Sequence, residues 1–140
     1  MYKLKTNASF DSAHFLAGYH GKCENIHGHH WVVEVTISGD ELQETGTQRG
    51  MLIDFGDMKK AVRALADIYD HALIYESGSL RIKTVDALLE EGFRLIEIPY
   101  RPTAENFARM FFQKLKEQGL RAESVTVYET PDNCAVYEEK

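Results

Sequence analysis

Hydrophobic and polar positions alternate from the first residues of the chain. Tyr2, Leu4, Thr6, Ala8 and Phe10 fall on one side, and Lys3, Lys5, Asn7, Ser9 and Asp11 on the other. A period of two is the mark of a strand with one solvated face, so residues 2–14 are expected to form one. Without a bulge, His14 shares the face of Phe10. A polar, Gly-containing loop covers 15–26, and the alternation resumes over 27–38. There His27, His29, Trp31, Val33, Val35 and Ile37 form one face, and His30, Val32, Glu34, Thr36 and Ser38 the other. A Gly-containing stretch at 39–50 carries the turn. Residues 51–54 predict a short strand that ends in a helix cap at Asp54, with Asp57 in the first turn. Met58, Val62, Leu65, Ala66 and Tyr69 repeat at helical spacing. A short helix over 84–91, stopped by Gly92, and a strand over 93–98 follow. Thr103 caps the next helix, with Phe107, Phe111 and Leu115 as its stripe and Gly119 as its stop. Strands at 124–130 and 134–137 close the chain. The order β-β-(β)-α-β-α-β-β predicts an α+β domain with a largely antiparallel sheet and its helices on one face.

Composition narrows the picture. The 140 residues suit a single domain, 1–140, with a substantial core. A formal charge of −6 argues against a nucleic-acid binder, which needs a basic field. No apolar run reaches the roughly 20 residues of a membrane span. Met1-Tyr2-Lys3-Leu4-Lys5 lacks the apolar segment of a signal peptide. The two cysteines, Cys23 and Cys134, provide no disulfide framework, so a cytoplasmic location with free thiols is expected.

Candidate chemistry concentrates in Cys23-Glu24-Asn25-Ile26-His27-Gly28-His29. His27 and His29 project from the apolar face of one strand, and His14 from the matching face of its predecessor. Three neutral imidazoles would hold zinc and leave one position open, as catalytic sites do. Cys23 precedes this pair, and a nearby dication would favour its thiolate. It could be a fourth ligand, a nucleophile, a general base or a packing residue. Asp70-His71 follows the first long helix. It could be an acid/base unit, a carboxylate orienting an imidazole, or a plain C-terminal cap pair. Glu129 shares a strand face with Val125 and Val127. There it could clasp the paired N–H donors of an aminopyrimidine or simply reach solvent. Glu105 reads as a first-turn acid favoured by the helix dipole. His20 and His30 read as a loop and an outward residue, and Cys134 as packing.

The chain resembles the 6-pyruvoyl-tetrahydropterin synthase family. The matching pieces are Phe10-Asp11-Ser12-Ala13-His14, Cys23-x-x-x-His27-Gly28-His29, Gly50-Met51-Leu52-Ile53-Asp54-Phe55, Asp70-His71, Pro102-Thr103-Ala104-Glu105-Asn106 and Val127-Tyr128-Glu129-Thr130. They keep family order over nearly the whole chain. The resemblance implies the tunnelling fold: a four-stranded antiparallel sheet carrying two helices, trimers closing sheets into a barrel, and stacked trimers forming homohexamers with active sites between subunits. It implies zinc on His14, His27 and His29. It implies proton transfer by Cys23 on one substrate face and by His71, oriented by Asp70, on the other. Glu129 would anchor the pterin, helped by the turn from Thr103 to Glu105. Three residues between Cys23 and His27 match the bacterial queuosine-type branch. That branch converts 7,8-dihydroneopterin triphosphate to 6-carboxy-5,6,7,8-tetrahydropterin, acetaldehyde and triphosphate. Two other branches, which make 6-pyruvoyl-tetrahydropterin or a 6-hydroxymethyl folate precursor, remain alternatives, as does a non-catalytic metal or pterin binder of the same fold. Ala104 stands where many relatives carry a hydroxyl, and residues 76–98 are longer than in compact members.

Overall fold

The computed structural model describes all residues 1–140. Two thirteen-residue strands, β1 (Tyr2–His14) and β2 (His27–Gly39), pair antiparallel along their full length, from Tyr2 opposite Gly39 to His14 opposite His27. Their shared register puts Phe10 opposite Trp31, and the two rings stack at 6.0 Å. α1 (Phe55–Tyr69), β3 (Ala72–Glu76), α2 (Ile82–Glu90), β4 (Leu95–Ile98), α3 (Ala104–Glu117), β5 (Ser124–Thr130) and β6 (Asn133–Glu138) follow. The sheet order is β4-β3-β1-β2-β5-β6.

α1 and α3 lie on the apolar face of the sheet. Met58, Val62, Leu65, Ala66 and Tyr69 of α1 and Phe107, Ala108, Phe111 and Leu115 of α3 are buried against Phe10, Trp31, Val33, Val35, Val125 and Val127. Each large side chain of this kind contributes about 1.5–3 kcal/mol on burial. Both helices start at side-chain caps. Asp54 accepts from the Gly56 amide at 2.6 Å, and the Thr103 hydroxyl accepts from the Asn106 amide at 3.1 Å.

Three expectations need correction. The resemblance implied four antiparallel strands and two helices; six strands and three helices are found, and the expected helix over 84–91 and strand over 93–98 are among them. The added pieces are β3, which runs parallel to β1 with Ser12 beside Ala72, and β4, parallel to β3 with Leu73 beside Leu95. β3 is a continuous apolar run of only five residues, too short to show a period. Second, residues 51–54 form no strand. Their backbone bonds stay local, the Gln43 amide donating to Met51 O at 3.0 Å and the Gly50 amide to Gln43 O at 2.7 Å. Third, α2 buries none of its residues, so the helices do not all serve the core. Its Leu88 instead borders a cleft with Ala13 and Leu73, which alternate outward between core-facing neighbours.

Candidate metal centre and its flanking acid-base pair

The end of the β1–β2 ladder carries three imidazoles on the core side. His14 is 1% exposed; its ring meets Trp31 edge-on at 5.0 Å and His29 at 5.1 Å. The Pro102 carbonyl accepts from His14 Nδ1 at 2.7 Å, and the Asn25 carbonyl accepts from His27 Nδ1 at 2.6 Å. Each bond fixes a tautomer and leaves Nε2 with a free lone pair. The two Nε2 atoms are 3.1 Å apart, and one ligating atom from each of His14, His27 and His29 lies within 4.8 Å of the others. Nε2 of His29 is buried and has no hydrogen-bond partner.

Electrostatics favour the neutral rings that a metal requires. Burial, reinforced by His27 and His29, lowers the His14 pKa from 6.5 to about 4, against an opposing pull from the Pro102 carbonyl. Burial also lowers His29, although the Glu129 carboxylate pulls the other way. Three ring nitrogens within 4.8 Å of one another, one of them without a partner, fit a divalent cation with imidazole preference. Without a cation, a buried unpaired nitrogen of this kind costs about 1–3 kcal/mol.

Glu129 lies beside the trio. Its Oε1 is 3.6 Å from His29 Nε2 and 3.7 Å from His14 Nε2, close for charges but too long for hydrogen bonds. The carboxylate is half-buried and also lines a second cleft with Tyr128, Thr130 and Pro131. Thr103 caps α3, so its hydroxyl already accepts a backbone bond, while Glu105 in the first turn is exposed. Their turn adjoins the trio through the preceding Pro102 carbonyl.

Cys23 sits half-buried in a single 3-10 turn, Lys22–Glu24. Its loop is pinned at the neck, where the Leu16 amide donates to Cys23 O at 2.9 Å. Just beyond, Arg101 grips Ala17 O with Nε at 3.2 Å and Nη2 at 2.7 Å.

Asp70 and His71 lie across β1 from the trio, at the start of β3. Nδ1 of His71 donates to Asp70 Oδ2 at 2.7 Å, and the Asp11 amide donates to Asp70 Oδ1 at 2.8 Å. The Asp11 bond, then the His71 bond, holds the Asp70 carboxyl below its ordinary range. The His71 ring is 79% exposed and borders a cleft of about 730 Å³ on the outward face, with Asp11, His29, His30 and Arg94. Within one chain, then, His14, His27, His29 and Glu129 gather on the core side, and His71 opens onto the other face. His30, given no role above, bonds Asp11 Oδ1 at 2.7 Å. The carbonyls of Pro102 and Asn25 and the backbone of Asp11 do much of the orienting. Backbone groups have no residue-type signature, so no pattern of side chains could have revealed them.

Comparison with known proteins identifies the family. The family model described as 6-pyruvoyl tetrahydropterin synthase matches residues 3–140. The chain is 39% identical to the 6-carboxy-5,6,7,8-tetrahydropterin synthase of Haemophilus influenzae, over 99% of this chain and 100% of that one. It is 33% identical to the protein of the same name from Rickettsia bellii, over 97% and 99%. Among solved structures, the 6-pyruvoyl tetrahydropterin synthase of Caenorhabditis elegans superposes with a TM-score of 0.68 at 24% identity, covering 99% of this chain and 96% of that one. An uncharacterized protein from Wolinella succinogenes gives 0.80 at 18% identity, covering 99% and 98%. At these identities the structural likeness speaks for the fold alone.

Proposed function

The chain belongs to the 6-pyruvoyl tetrahydropterin synthase family of enzymes, and on that premise we propose that it is a zinc-dependent lyase. Its substrate in this reading is 7,8-dihydroneopterin triphosphate, and its products are 6-carboxy-5,6,7,8-tetrahydropterin, acetaldehyde and triphosphate, a step of queuosine biosynthesis in the cytoplasm. The observation that carries it is the convergence of His14, His27 and His29, with burial holding the His14 and His29 rings neutral and Nε2 of His29 left without a partner. The names of full-length relatives at 39% and 33% identity support the choice of product.

When bound, zinc supplies a Lewis acid that acidifies C–H bonds next to the side-chain oxygens of the substrate. The protein's own groups do the rest. Glu129 accepts the two N–H donors of the aminopyrimidine edge, which fixes the ring in one orientation. The Thr103–Glu105 turn walls the same end. Cys23 exchanges protons on one face of the substrate tail. His71 does so on the other; Asp70 holds its Nδ1–H, so Nε2 is the atom that takes and returns the proton.

Because His71 opens onto a cleft that only His29 of the trio also borders, we place each complete site between subunits of a hexamer built as two stacked trimers. β4 and β6 end the sheet with unpaired edges, which a barrel of several sheets would cover. No helix is long and apolar enough to cross a membrane.

The test is to incubate zinc-loaded protein with 7,8-dihydroneopterin triphosphate and identify the product by mass spectrometry. A 6-carboxy product with acetaldehyde is expected. A 6-pyruvoyl or a 6-hydroxymethyl product would reassign the chain to another branch. Cys23→Ala is expected to keep pterin binding and to release no acetaldehyde; undiminished release would remove the thiol from the mechanism.

A further inference from the structure

The segment between β3 and β4 has no role in the site as described so far, and its helix α2 buries nothing in the core. It delivers one side chain to a specific place. α2 ends in a Schellman turn: the Phe93 amide bonds Leu88 O at 3.1 Å, and the Gly92 amide bonds Leu89 O at 3.0 Å. Gly92 has a φ of +86°, a conformation that costs glycine nothing and a β-carbon about 1 kcal/mol or more. The chain therefore turns sharply and enters β4. The Leu73 amide bonds Arg94 O at 3.0 Å, and Leu73 sits beside Leu95, so the backbone of Arg94 is registered against the start of β3.

From there the Arg94 guanidinium reaches back to the end of α1. Nη1 donates to Asp70 O and Nη2 to Ile68 O. α1 has no basic residue of its own in its last turn, and its final carbonyls lack partners within the helix. A planar fork spanning two carbonyls is something arginine does and lysine does not.

The point it clamps is under strain. His71 adopts a φ of +54°, left-handed and unusual for a residue with a β-carbon. Such a conformation persists only where neighbours over-determine it. On one side Asp11 does so: its carbonyl accepts the His71 amide at 2.6 Å, and its amide binds the Asp70 carboxylate. The opposite side is held by Arg94.

We propose that Arg94 is a positioning residue for the Asp70–His71 pair, and that α2 with its closing turn is the scaffold that presents it. The proposal rests on the proton-transfer role assigned to His71 above. Without the two guanidinium bonds the end of α1 frays, the left-handed turn at His71 relaxes, and the imidazole loses its fixed approach to the substrate.

A double-mutant cycle tests this. Arg94→Ala should lower kcat for acetaldehyde release about 10-fold, with KM and zinc content unchanged, and millimolar guanidinium should restore part of the loss. Arg94→Lys should remain impaired. In a His71→Ala background, Arg94→Ala should cost nothing further, because the group it positions is gone. Equal losses in both backgrounds, or a loss confined to KM, would overturn the proposal. A second readout needs no turnover. In the 15N spectrum of specifically labelled protein, His71 should be one tautomer with its proton on Nδ1, and Arg94→Ala should average the two nitrogens. An unchanged His71 pattern in the variant sinks the positioning role even if the substrate proves to be another pterin; a changed pattern in a protein that never turns over this pterin keeps it and sinks only the assigned reaction.

Discussion

His29 concentrates the argument for a metal, because its Nε2 is buried without a hydrogen-bond partner while His14 and His27 approach it. Its removal should leave the fold intact and the site open. His29→Ala is expected to weaken zinc binding at least ~100-fold, the upper range for losing a mere supporting group of a metal site, with an unchanged far-ultraviolet spectrum. Full zinc occupancy in the variant after dialysis would refute the assignment. The same ring cluster sets a pH dependence in the metal-free protein. The pKa of His14 falls from 6.5 to about 4 on folding, so the unfolded chain takes up a proton that the folded one refuses. Stability is therefore complete above pH 6.5 and declines as pH falls toward 4, by an amount on the order of 3 kcal/mol. The depressed His29 acts in the same direction. Urea midpoints at fixed protein concentration should drop between pH 7.5 and pH 5; a flat profile would mean the rings are solvated in solution.

Among the elements, the two capped helices were the most legible. Asp54 and Thr103 each offer a side-chain acceptor just ahead of a 3.6-residue apolar stripe, and both caps form with the expected backbone partners. Asp54→Ala should cost about 1 kcal/mol, read as a lower urea midpoint with an unchanged m value. A shift beyond 3 kcal/mol would mean that Asp54 does more than cap α1. β1 and β2 were equally plain, since thirteen alternating residues leave no second register that keeps Phe10, Trp31 and Val33 together. β3 and β4 were not. Five and four residues carry no resolvable period, and both pair parallel with strands distant in sequence. α2 begins two residues before its expected start, at Ile82 after Arg81, which makes no side-chain cap. With no capping acceptor, nothing local marks the boundary.

Taken whole, the molecule separates the proposed reaction's parts onto two faces of one sheet. The imidazole trio and Glu129 face the helices, and His71 faces the cleft beyond β1, which of the trio only His29 also borders. If sites form between subunits, a copy lacking the trio and a copy lacking His71 should complement each other. Mixed oligomers of His29→Ala and His71→Ala, formed by dissociating and reassociating the two, should show activity well above the residual level of either variant alone. Confirmed mixing without any regained activity would place each site within one chain, and the division between faces would need another explanation.

The sequence by itself determined what depends on near neighbours. The faces of β1 and β2, the two capped helices, and the three histidines on one side of a ladder all follow from a period of two or 3.6 and a side-chain type. The family followed too, from short motifs kept in order along the chain. Only the tertiary structure decided what depends on backbone groups brought from afar. It seats His14 on the Pro102 carbonyl, ties Asp70 and His71 to the backbone of Asp11, and lays Arg94 across the end of α1. A carbonyl or amide is the same in every residue, so its position in space, and nothing in the order of side chains, makes it part of a site.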